Sequence, residues 1–451
     1  MPMSRPITAF ALALLIAITA VAIPSPATPA VRAASPVGVG EIVAGSVNRS
    51  SLNLEATYLT SLRLNWGTRA VRVSSTATIR NTSGAAIDRV EFNTVAAVLG
   101  GMRFTATTVD GVSVKPSVSG QTIKVPLGGN LPAGATTKIR IGYAARLRTS
   151  LSGSSWFFTK VNGIANLYRW LPWVSRTTPF TRPNHGDPFV TPSSPRVRVR
   201  ITTDRKLVFA TSGERVAVDG LSQTFEAHNV RDFTVTAATD FVTRTTTVGK
   251  TRVIGIARSG SVASRLRDEG ARAFKRLQNL LGPYPHPAYR VIQSAGGYGM
   301  ESPALSWIPY GLETSRYRYL VTHETAHQWF YGIVGNDQAR QPFTDEAAAD
   351  FVTRYVLGSK RSSSCSTARL DRTIYDYGST CYYEVIYIQG GNVIDRVRRR
   401  IGSTSFWTAL RSYVATNRNR IASTLTLLNA LEGASSHSLR DIFAPRFPRL
   451  Y

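Results

Sequence analysis

The segment His323-Glu324-Thr325-Ala326-His327 constrains the fold more than any other part of the chain. In an α-helix, positions i and i+4 lie on one face, so the imidazoles of His323 and His327 can converge on a single ion. Imidazole nitrogens bind zinc at about 2.0–2.1 Å. The carboxylate of Glu324 points to the flank of that face, where it can reach a metal-bound water and act as a base. The motif therefore predicts a helix that gives two ligands to one zinc ion.

A third ligand is expected on a second helix. A catalytic zinc usually has three protein ligands and an open position for water. Glu346 follows His327 after eighteen residues, in a segment whose predicted helix ends at Gly358. Asp350 lies four residues beyond Glu346 on the same face, and we predict that it accepts the second ring N–H of a ligating histidine. Two helices joined by a loop would thus form the site.

The N-terminal half has the period-two pattern of β-strands. Between about residues 46 and 240, apolar residues alternate with polar ones, as at Val71 and Val73, and Gly-rich turn signals separate the runs. Many short strands with such punctuation predict an antiparallel β-sandwich or saddle. A chain of 451 residues is long enough for two domains, so we place the β domain at residues 35–245. A Thr-rich stretch at 243–250 is interpreted as a linker.

The pattern changes to a helical period after the linker. Apolar residues spaced from Val262 to Leu281 predict an amphipathic helix that stops at Gly282, and a short strand follows at 289–293. We therefore expect residues 246–451 to form a mainly α-helical domain with a small sheet. The whole chain would then be an α+β multidomain protein.

The stretch Gly296-Gly297-Tyr298-Gly299-Met300-Glu301-Ser302 is a candidate substrate cradle. Glycines let a backbone come close to a ligand, and an exposed edge strand can pair with an extended peptide. We single out Gly299, Met300 and Glu301 as substrate-binding residues. The alternative is a glycine-rich loop with a solvated Glu301.

Residues 1–34 have the features of a secretory signal. Arg5 precedes a nearly apolar run from Ile7 to Ile23, and prolines interrupt the segment before any stop-transfer charge. A cleaved signal predicts a secreted protein or one in the extracytoplasmic cell envelope. The alternative is an uncleaved membrane anchor, since a run of about 17 apolar residues is at the lower limit for spanning a bilayer.

The chain has two cysteines, Cys365 and Cys381. An even pair in an exported chain favours a disulfide, which would close a short Ser- and Tyr-rich segment. A pair of free thiols is the alternative. Neither interpretation makes the cysteines metal ligands.

The net charge of +27 bears on possible partners. A surface of this sign would be attracted to anionic lipid headgroups or acidic components of a cell envelope. The basic residues are spread along the chain, with no block of five or six and no nucleic-acid motif. We therefore expect no specific nucleic-acid partner.

Two segments resemble the aminopeptidase N family of gluzincin zinc metallopeptidases. They are His327-Gln328-Trp329-Phe330, with the spacing to Glu346, and Gly299-Met300-Glu301-Ser302, where Ser302 replaces the usual Asn. The resemblance implies a thermolysin-like catalytic domain at residues 246–451 behind the β domain. About a hundred residues follow Glu346, so it also implies a short two-domain form without the C-terminal helical domain of longer relatives.

The resemblance implies a zinc-dependent aminopeptidase with peptide substrates and one zinc per chain. Glu301 would bind the free amine of the substrate. Tyr387, which lies before Gly390 and a predicted helix, resembles the family's catalytic tyrosine. Other tyrosines nearby remain alternatives for that role, namely Tyr375, Tyr377, Tyr382 and Tyr383. Two other functions stay open: a zinc endopeptidase in which Glu301 has no amine to bind, and a secreted non-enzymatic β-sandwich protein that binds anionic surfaces.

Overall fold

Antiparallel sheets make up the N-terminal half of the chain in the computed structural model, which describes residues 41–451. Side chains alternate between the two faces of a strand. In the first strand, for example, Leu62 and Leu64 are buried while Arg63 between them is exposed. The strands in this half are β1 (Leu54–Leu64), β2 (Ala70–Asn81), β3 (Ile87–Asn93), β4 (Arg103–Val109), β5 (Val112–Ser113), β6 (Ser117–Ser119), β7 (Thr122–Leu131), β8 (Thr136–Arg146), β9 (Phe158–Val161), β10 (Ile164–Leu167), β11 (Trp173–Val174), β12 (Ser194–Thr203), β13 (Val208–Thr211), β14 (Glu214–Asp219), β15 (Ser222–Val230) and β16 (Val235–Ala238).

These strands form three sheets within the described part of the chain. The largest has the order β14-β15-β12-β1-β2-β8-β4-β5, and two four-stranded sheets have the orders β13-β16-β10-β9 and β11-β3-β7-β6. One pair is parallel, because β1 lies beside β12 with Tyr58 opposite Val197. A short helix, α1 (Ala96–Leu99), and a 3-10 turn at Ser155–Phe157 lie among the strands. The predicted antiparallel β region is confirmed, and the structure shows that it consists of several sheets.

Helices dominate the C-terminal half, around one small sheet of order β17-β18-β19-β21-β20. Its strands are β17 (Val242–Val248), β18 (Thr251–Ala257), β19 (Ala288–Ser294), β20 (Met300–Ser302) and β21 (Leu305–Pro309). The α-helices are α2 (Gly260–Leu281), α3 (Tyr317–Ala326), α4 (Ala348–Leu357), α5 (Cys381–Tyr383), α6 (Gly390–Ile401), α7 (Ser403–Thr416), α8 (Thr424–Glu432) and α9 (Arg440–Phe443). Shorter turns are 3-10 at Thr314–Arg316 and Ile374–Asp376, and π-helical at Phe343–Ala347 and Glu384–Gln389.

The helix predicted to stop at Gly282 is α2. The side chain of Ser259 caps its first turn by accepting the backbone N–H of Val262 at 3.3 Å. Its apolar face is buried, including Leu266 and Phe274. Gly282 ends it with a φ of 101°, a backbone conformation that favours glycine.

The Thr-rich stretch at 243–250 is not a linker. It is the edge strand β17 and the turn that joins it to β18, with Thr246 opposite Val253. Threonine is common in strands, and here the run covers one edge of the small sheet. The chain therefore passes from the β region into the small sheet without an extended connection, and the exact domain limits remain a prediction.

The small sheet lies between two hydrophobic cores. In β19, Ile292 belongs to the core of the β region, whereas Val291 beside it belongs to the core of the helices. The same division separates Trp307 from Ile308 in β21. Because neighbouring residues of a strand face opposite sides, the sheet joins the two halves through direct packing on both faces.

The predicted signal, residues 1–34, lies outside the described residues. Across residues 41–451, no helix is both long enough and apolar enough to cross a membrane.

Candidate metal centre

The helix α3 brings the two histidines of the motif together. His323 lies in its last turn and His327 ends it, with the backbone N–H of His327 donating to the carbonyl of His323 at 3.3 Å. Both side chains are buried, and their Nε2 atoms lie 3.2 Å apart. The helical spacing thus directs both rings at one point.

Glu346 completes a triangle of possible ligand atoms. Its Oε2 lies 3.3 Å from Nε2 of His323 and 3.4 Å from Nε2 of His327. The centre of this triangle is about 1.9 Å from each atom, close to the roughly 2.0 Å of Zn–N and Zn–O bonds. Within residues 41–451, Oε2 is buried without a hydrogen-bond partner, which is costly unless a cation binds there. These three residues therefore fit a zinc ion.

A π-helical turn carries Glu346 into the site. It spans Phe343–Ala347 and leads directly into α4, which ends at Gly358 in the left-handed conformation with a φ of 67°. The wider turn changes the angular spacing of side chains, and π-helical turns often occur at functional sites. As a result, Asp345 and Glu346 both face His327.

Asp345, and not Asp350, hydrogen-bonds a ring nitrogen of the histidines. The Nδ1 atom of His327 lies 2.8 Å from Oδ1 of Asp345 and 3.1 Å from the carbonyl oxygen of Phe330. Two acceptors at Nδ1 favour the proton there and leave the lone pair of Nε2 for a metal. The prediction that Asp350 plays this part is wrong.

Asp350 contacts other side chains because Arg354, one helical turn later, binds its carboxylate at 2.6 Å. Its other oxygen accepts the hydroxyl of Tyr319 at 2.6 Å. The ring of Tyr319 lies nearly parallel to that of His323, with centroids 6.0 Å apart. Asp350 therefore supports His323 through a packed tyrosine rather than by a direct hydrogen bond.

Glu324, the predicted base, is buried beside the metal ligands. Burial raises the pKa of its carboxyl to about 8. Its Oε1 lies against Gly299, where a Cβ atom would come within 2.1 Å of it. Any side chain at position 299 would displace the carboxylate, so Gly299 is required by this close approach.

Glu301 lies in β20, the edge strand of the small sheet. It pairs with Ser306 of β21, and its carboxylate is buried. Burial raises the pKa of Glu301 well above its ordinary value. Oε1 accepts the side-chain N–H of Gln338 at 2.7 Å, and the same nitrogen donates to Asp345 at 2.8 Å. Gln338 thus links Glu301, the predicted amine-binding residue, to Asp345, which hydrogen-bonds His327.

A buried polar network continues from Gln338 into the β region. The guanidinium of Arg169 donates to Gln338 at 3.4 Å and to the hydroxyl of Tyr331 at 2.8 Å. Asp232 lies 3.9 Å from Arg169 and accepts hydrogen bonds from Tyr331 and from Ser302, the latter at 2.5 Å. Ser302 replaces the asparagine usual in the resembled motif. Its hydroxyl donates a hydrogen bond within this network.

Arg231 forms a second connection between the two halves. Its guanidinium is completely buried and donates to the carbonyl of Thr191 at 2.9 Å. It also donates at 3.4 Å to the carbonyls of Gly332 and Ile333, just beyond the histidine motif. The segment that follows His327 is thus fixed by an arginine of the β region.

Tyr387, the predicted catalytic tyrosine, contacts the candidate metal ligand His323. It lies in the π-helical turn Glu384–Gln389, and its ring stacks on His323 with centroids 5.6 Å apart. Burial and the negative charge of Glu346 raise the pKa of its hydroxyl well above the ordinary value, so it stays protonated. Of the alternatives, Tyr383 packs against Tyr387 at 4.7 Å. The hydroxyls of Tyr375 and Tyr377 donate to the backbone oxygens of Pro179 and Arg369.

Cys365 and Cys381 form a disulfide, as the even pair predicts. The bond joins the loop after α4 to α5, which precedes the turn that carries Tyr387. Glu384 adds to this connection, because its carboxylate accepts the backbone N–H of Cys365 at 2.8 Å.

Sequence reasoning missed Asp345, Gln338 and Tyr319. Asp345 had a signal, since it adjoins Glu346, but a regular helix would have turned it away from the histidines. Tyr319 lies four residues before His323, a spacing that places it on the same helix face. Gln338 is in a loop, and nothing in its sequence neighbourhood indicates a buried role.

No protein-family model matches the sequence, and no curated protein matches it. Solved structures do match. The M1 zinc metallopeptidase of Deinococcus radiodurans aligns with 85% of this chain and 91% of its own, at 20% identity and a TM-score of 0.66. A Glu-to-Ala mutant from the same organism, bound to a Tyr-Ser-Ala substrate, aligns with 87% and 93%, at 20% identity and a TM-score of 0.68. A two-domain M1 zinc metallopeptidase mutant bound to L-arginine aligns with 85% and 91%, at 21% identity and a TM-score of 0.65. The likeness shows a shared fold.

Proposed function

We propose that this chain, which has the fold of the two-domain M1 zinc metallopeptidases, is a zinc-dependent aminopeptidase that removes N-terminal residues from peptides. One observation carries the proposal: the ligand atoms of His323, His327 and Glu346 converge within 4.8 Å of one another, with Glu324 buried beside them. Similar structures that hold a peptide substrate or an amino acid support peptides as the substrate class.

Each group of the site has a part in peptide hydrolysis. Zinc bound by His323, His327 and Glu346 would polarise the scissile carbonyl and lower the pKa of a water ligand. Glu324 takes a proton from the attacking water and gives it to the leaving amine. Tyr387, protonated and stacked on His323, donates a hydrogen bond to the oxyanion.

Glu301 supports the assignment as an aminopeptidase. A free α-amino group is positively charged, and a carboxylate near the metal offers it a charge-assisted hydrogen bond at a fixed distance from the first carbonyl. Because Glu301 lies on the edge strand β20, the substrate backbone can pair with that edge while its amine meets the carboxylate. Cleavage then falls after the first residue.

The first experiment tests hydrolysis. Zinc content and peptide cleavage are measured for the parent and for Glu324→Gln, with Glu313→Gln as the control because Glu313 is exposed and forms an ion pair with the exposed Arg316. We expect Glu324→Gln to keep one zinc per chain and to lose about 10²–10⁴-fold in kcat, as for loss of a general base. A parent that purifies without stoichiometric zinc would reject the proposal and favour a non-enzymatic binding protein.

The second experiment tests where cleavage falls. The parent and Glu301→Ala are compared on a peptide and on its N-acetyl form. The parent should cleave the free peptide, and Glu301→Ala should lose roughly 1.5–3 kcal/mol of transition-state stabilisation on it, the range for hydrogen bonds to charged groups. Equal cleavage of both peptides by the parent, with no loss in the variant, would instead identify an endopeptidase.

We also propose that the protein acts outside the cytoplasm. The signal-like residues 1–34 support this location, and so does the Cys365–Cys381 disulfide, since such bonds persist in oxidising compartments. Sequencing the N-terminus of protein exported by a host cell would test the proposal. An N-terminus that still carries Arg5 would contradict cleavage.

A further inference from the structure

We propose that Arg361 binds the C-terminal carboxylate of a short peptide substrate, on the leaving-group side of the metal centre. This inference rests on the function proposed above and adds a specificity residue to it. Arg361 lies in the loop after α4 and lines a groove of about 1000 Å³ between α4 and α6. Half of the fourteen residues that line this groove are Arg or Lys, and one, Asp395, is acidic.

Arg361 belongs to a closed ring of side chains that includes a metal ligand. Its guanidinium lies 4.4 Å from the ring centre of Tyr319 and 5.9 Å from that of Tyr383. Tyr319 stacks on His323, His323 stacks on Tyr387, and Tyr387 packs against Tyr383. The arginine is therefore a neighbour of the reaction site, and the tyrosines between them hold its position.

The charge of Arg361 has no acidic partner. Across residues 41–451, no Asp or Glu lies within 4.0 Å of its guanidinium, which donates to the hydroxyl of Tyr383. Asp350, the nearest support of Tyr319, is already paired with Arg354. A half-buried guanidinium with free donors and no carboxylate favours an anion, and its planar fork matches a carboxylate.

Glu301 and Arg361 are connected to different histidines of the metal centre, and this arrangement suits a substrate that runs from one to the other. Glu301 connects through Gln338 to Asp345 and hence to His327. Arg361 connects through Tyr319 to the other histidine, His323. With the amine at Glu301 and the first carbonyl at the metal, the rest of the peptide continues past His323 toward Arg361.

The distances select short peptides. The guanidinium lies 4.4 Å from the Tyr319 ring, which lies 6.0 Å from the His323 ring, so Arg361 is no more than about 10 Å from that imidazole. An extended chain advances about 3.3 Å per residue. A carboxylate two or three residues beyond the scissile bond therefore reaches Arg361, whereas a longer peptide must turn away into the groove.

The loop that carries Arg361 is fixed before substrate binds. The carbonyl of Arg361 accepts a hydrogen bond from Asn392 at 3.2 Å. Four residues later the disulfide of Cys365 joins the loop to α5. A cation held in place by such contacts loses little freedom on binding, which favours selectivity for peptide length.

The test compares the tripeptide Tyr-Ser-Ala with its C-terminal amide. Cleavage by the zinc-loaded full chain is measured for the parent, Arg361→Gln, Arg361→Lys and, as a matched control, Lys360→Gln, since Lys360 is the exposed neighbour in the same groove. Binding of both peptides to Glu324→Gln is measured by calorimetry, with and without Arg361→Gln. This second readout does not depend on turnover.

We expect the parent and Lys360→Gln to favour the free acid over the amide by about tenfold or more in kcat/KM, the effect of one hydrogen bond to a charged group. Arg361→Gln should lose this preference in both cleavage and binding, with the larger fall in kcat/KM on the free acid, and Arg361→Lys should keep part of it. Equal use of acid and amide by the parent would overturn the inference and leave the proposed function standing. An equal loss on both peptides in Arg361→Gln would overturn it too, because the arginine would then only support the tyrosines. No cleavage of either peptide by the parent would reject the proposed function itself.

Discussion

The two histidines of the metal centre have different surroundings. Around His327, hydrogen bonds join a series of buried side chains, from Asp345 and Gln338 to Arg169 in the β region. Around His323, the neighbours are aromatic rings, and its Nδ1 has no hydrogen-bond partner within the described residues. We refer to these as the His327 side and the His323 side.

The difference separates two ways of fixing a ligand. On the His327 side, hydrogen bonds set the ring orientation and the proton position, so they would directly tune the affinity for a bound metal. On the His323 side, packing and the Cys365–Cys381 disulfide position Tyr387 and Arg361 near the metal. Disturbing the first side should therefore change stability and metal affinity, and disturbing the second should change turnover and loop stability.

The largest effect should come from Asp232→Ala on the His327 side. The substitution leaves the buried guanidinium of Arg169 without its carboxylate and removes the acceptor of Tyr331. Breaking a buried ion pair in this way typically costs about 3–5 kcal/mol of the free energy of unfolding. Urea unfolding of the metal-free protein measures the loss. Asp219→Ala is the control, because its ion pair with Arg200 is exposed and should contribute less than about 1 kcal/mol. Similar losses in the two variants would contradict a special role for the buried network.

Removal of the disulfide should be next in size and should act on the His323 side. The bond closes a loop with a sequence separation of 16 residues, so Cys365→Ser with Cys381→Ser should cost about 2–4 kcal/mol in stability. Turnover should fall because the loop next to Tyr387 becomes mobile, whereas zinc content should stay at the parent level. Chemical reduction should destabilise the parent and leave the double variant unchanged. A loss of zinc in the double variant would remove the distinction between the two sides.

Asp345→Ala should weaken zinc binding by roughly 10–100-fold, since the hydrogen bond to Nδ1 of His327 is lost. Competition with a chelator gives the dissociation constant. Asp350→Asn is the matched control. The substitution preserves the shape of the side chain, and Asp350 makes no direct contact with a histidine. If Asp350→Asn weakened zinc binding as much as Asp345→Ala, the two sides would tune the metal equally.

The smallest effect should be that of Gly299→Ala. This substitution tests the position of the base Glu324, which belongs to neither side. A Cβ atom at this position meets Oε1 of Glu324 at 2.1 Å, so the base must shift. We expect kcat to fall about tenfold with zinc retained, because misplacement of a catalytic group lowers the rate strongly. Gly378→Ala is the control, since a Cβ there meets nothing within 4 Å. Unchanged kcat in Gly299→Ala would show that Glu324 has room to move.

Local periodicity explains which parts of the site the sequence could predict. His323 and His327 are one helical turn apart, so a helix alone brings them together. Asp350 was misplaced because the same helical argument was extended to a segment that begins with a π-helical turn. That turn directs Asp345 toward His327, and Arg354 binds the carboxylate of Asp350.

Long-range pairing explains what the sequence could not predict. The period-two pattern identifies strands such as β1, but it does not indicate that β1 lies parallel to β12, well over a hundred residues later. For the same reason, the sequence does not indicate that Arg169 contacts Gln338 or that Asp232 contacts Tyr331. Such buried polar contacts depend on the packing of whole regions rather than on neighbours in the chain.

Arg231 has a consequence for the order in which the protein matures. Its guanidinium donates hydrogen bonds to the carbonyls of Gly332 and Ile333, which lie 101 and 102 residues later in the chain. The segment that follows His327 is therefore fixed only when both halves are present. The β region leaves the ribosome first, and N-terminal regions generally fold first during synthesis. We therefore expect the nascent chain to gain its proposed hydrolytic centre last, when its own β region is already folded and protected from cleavage.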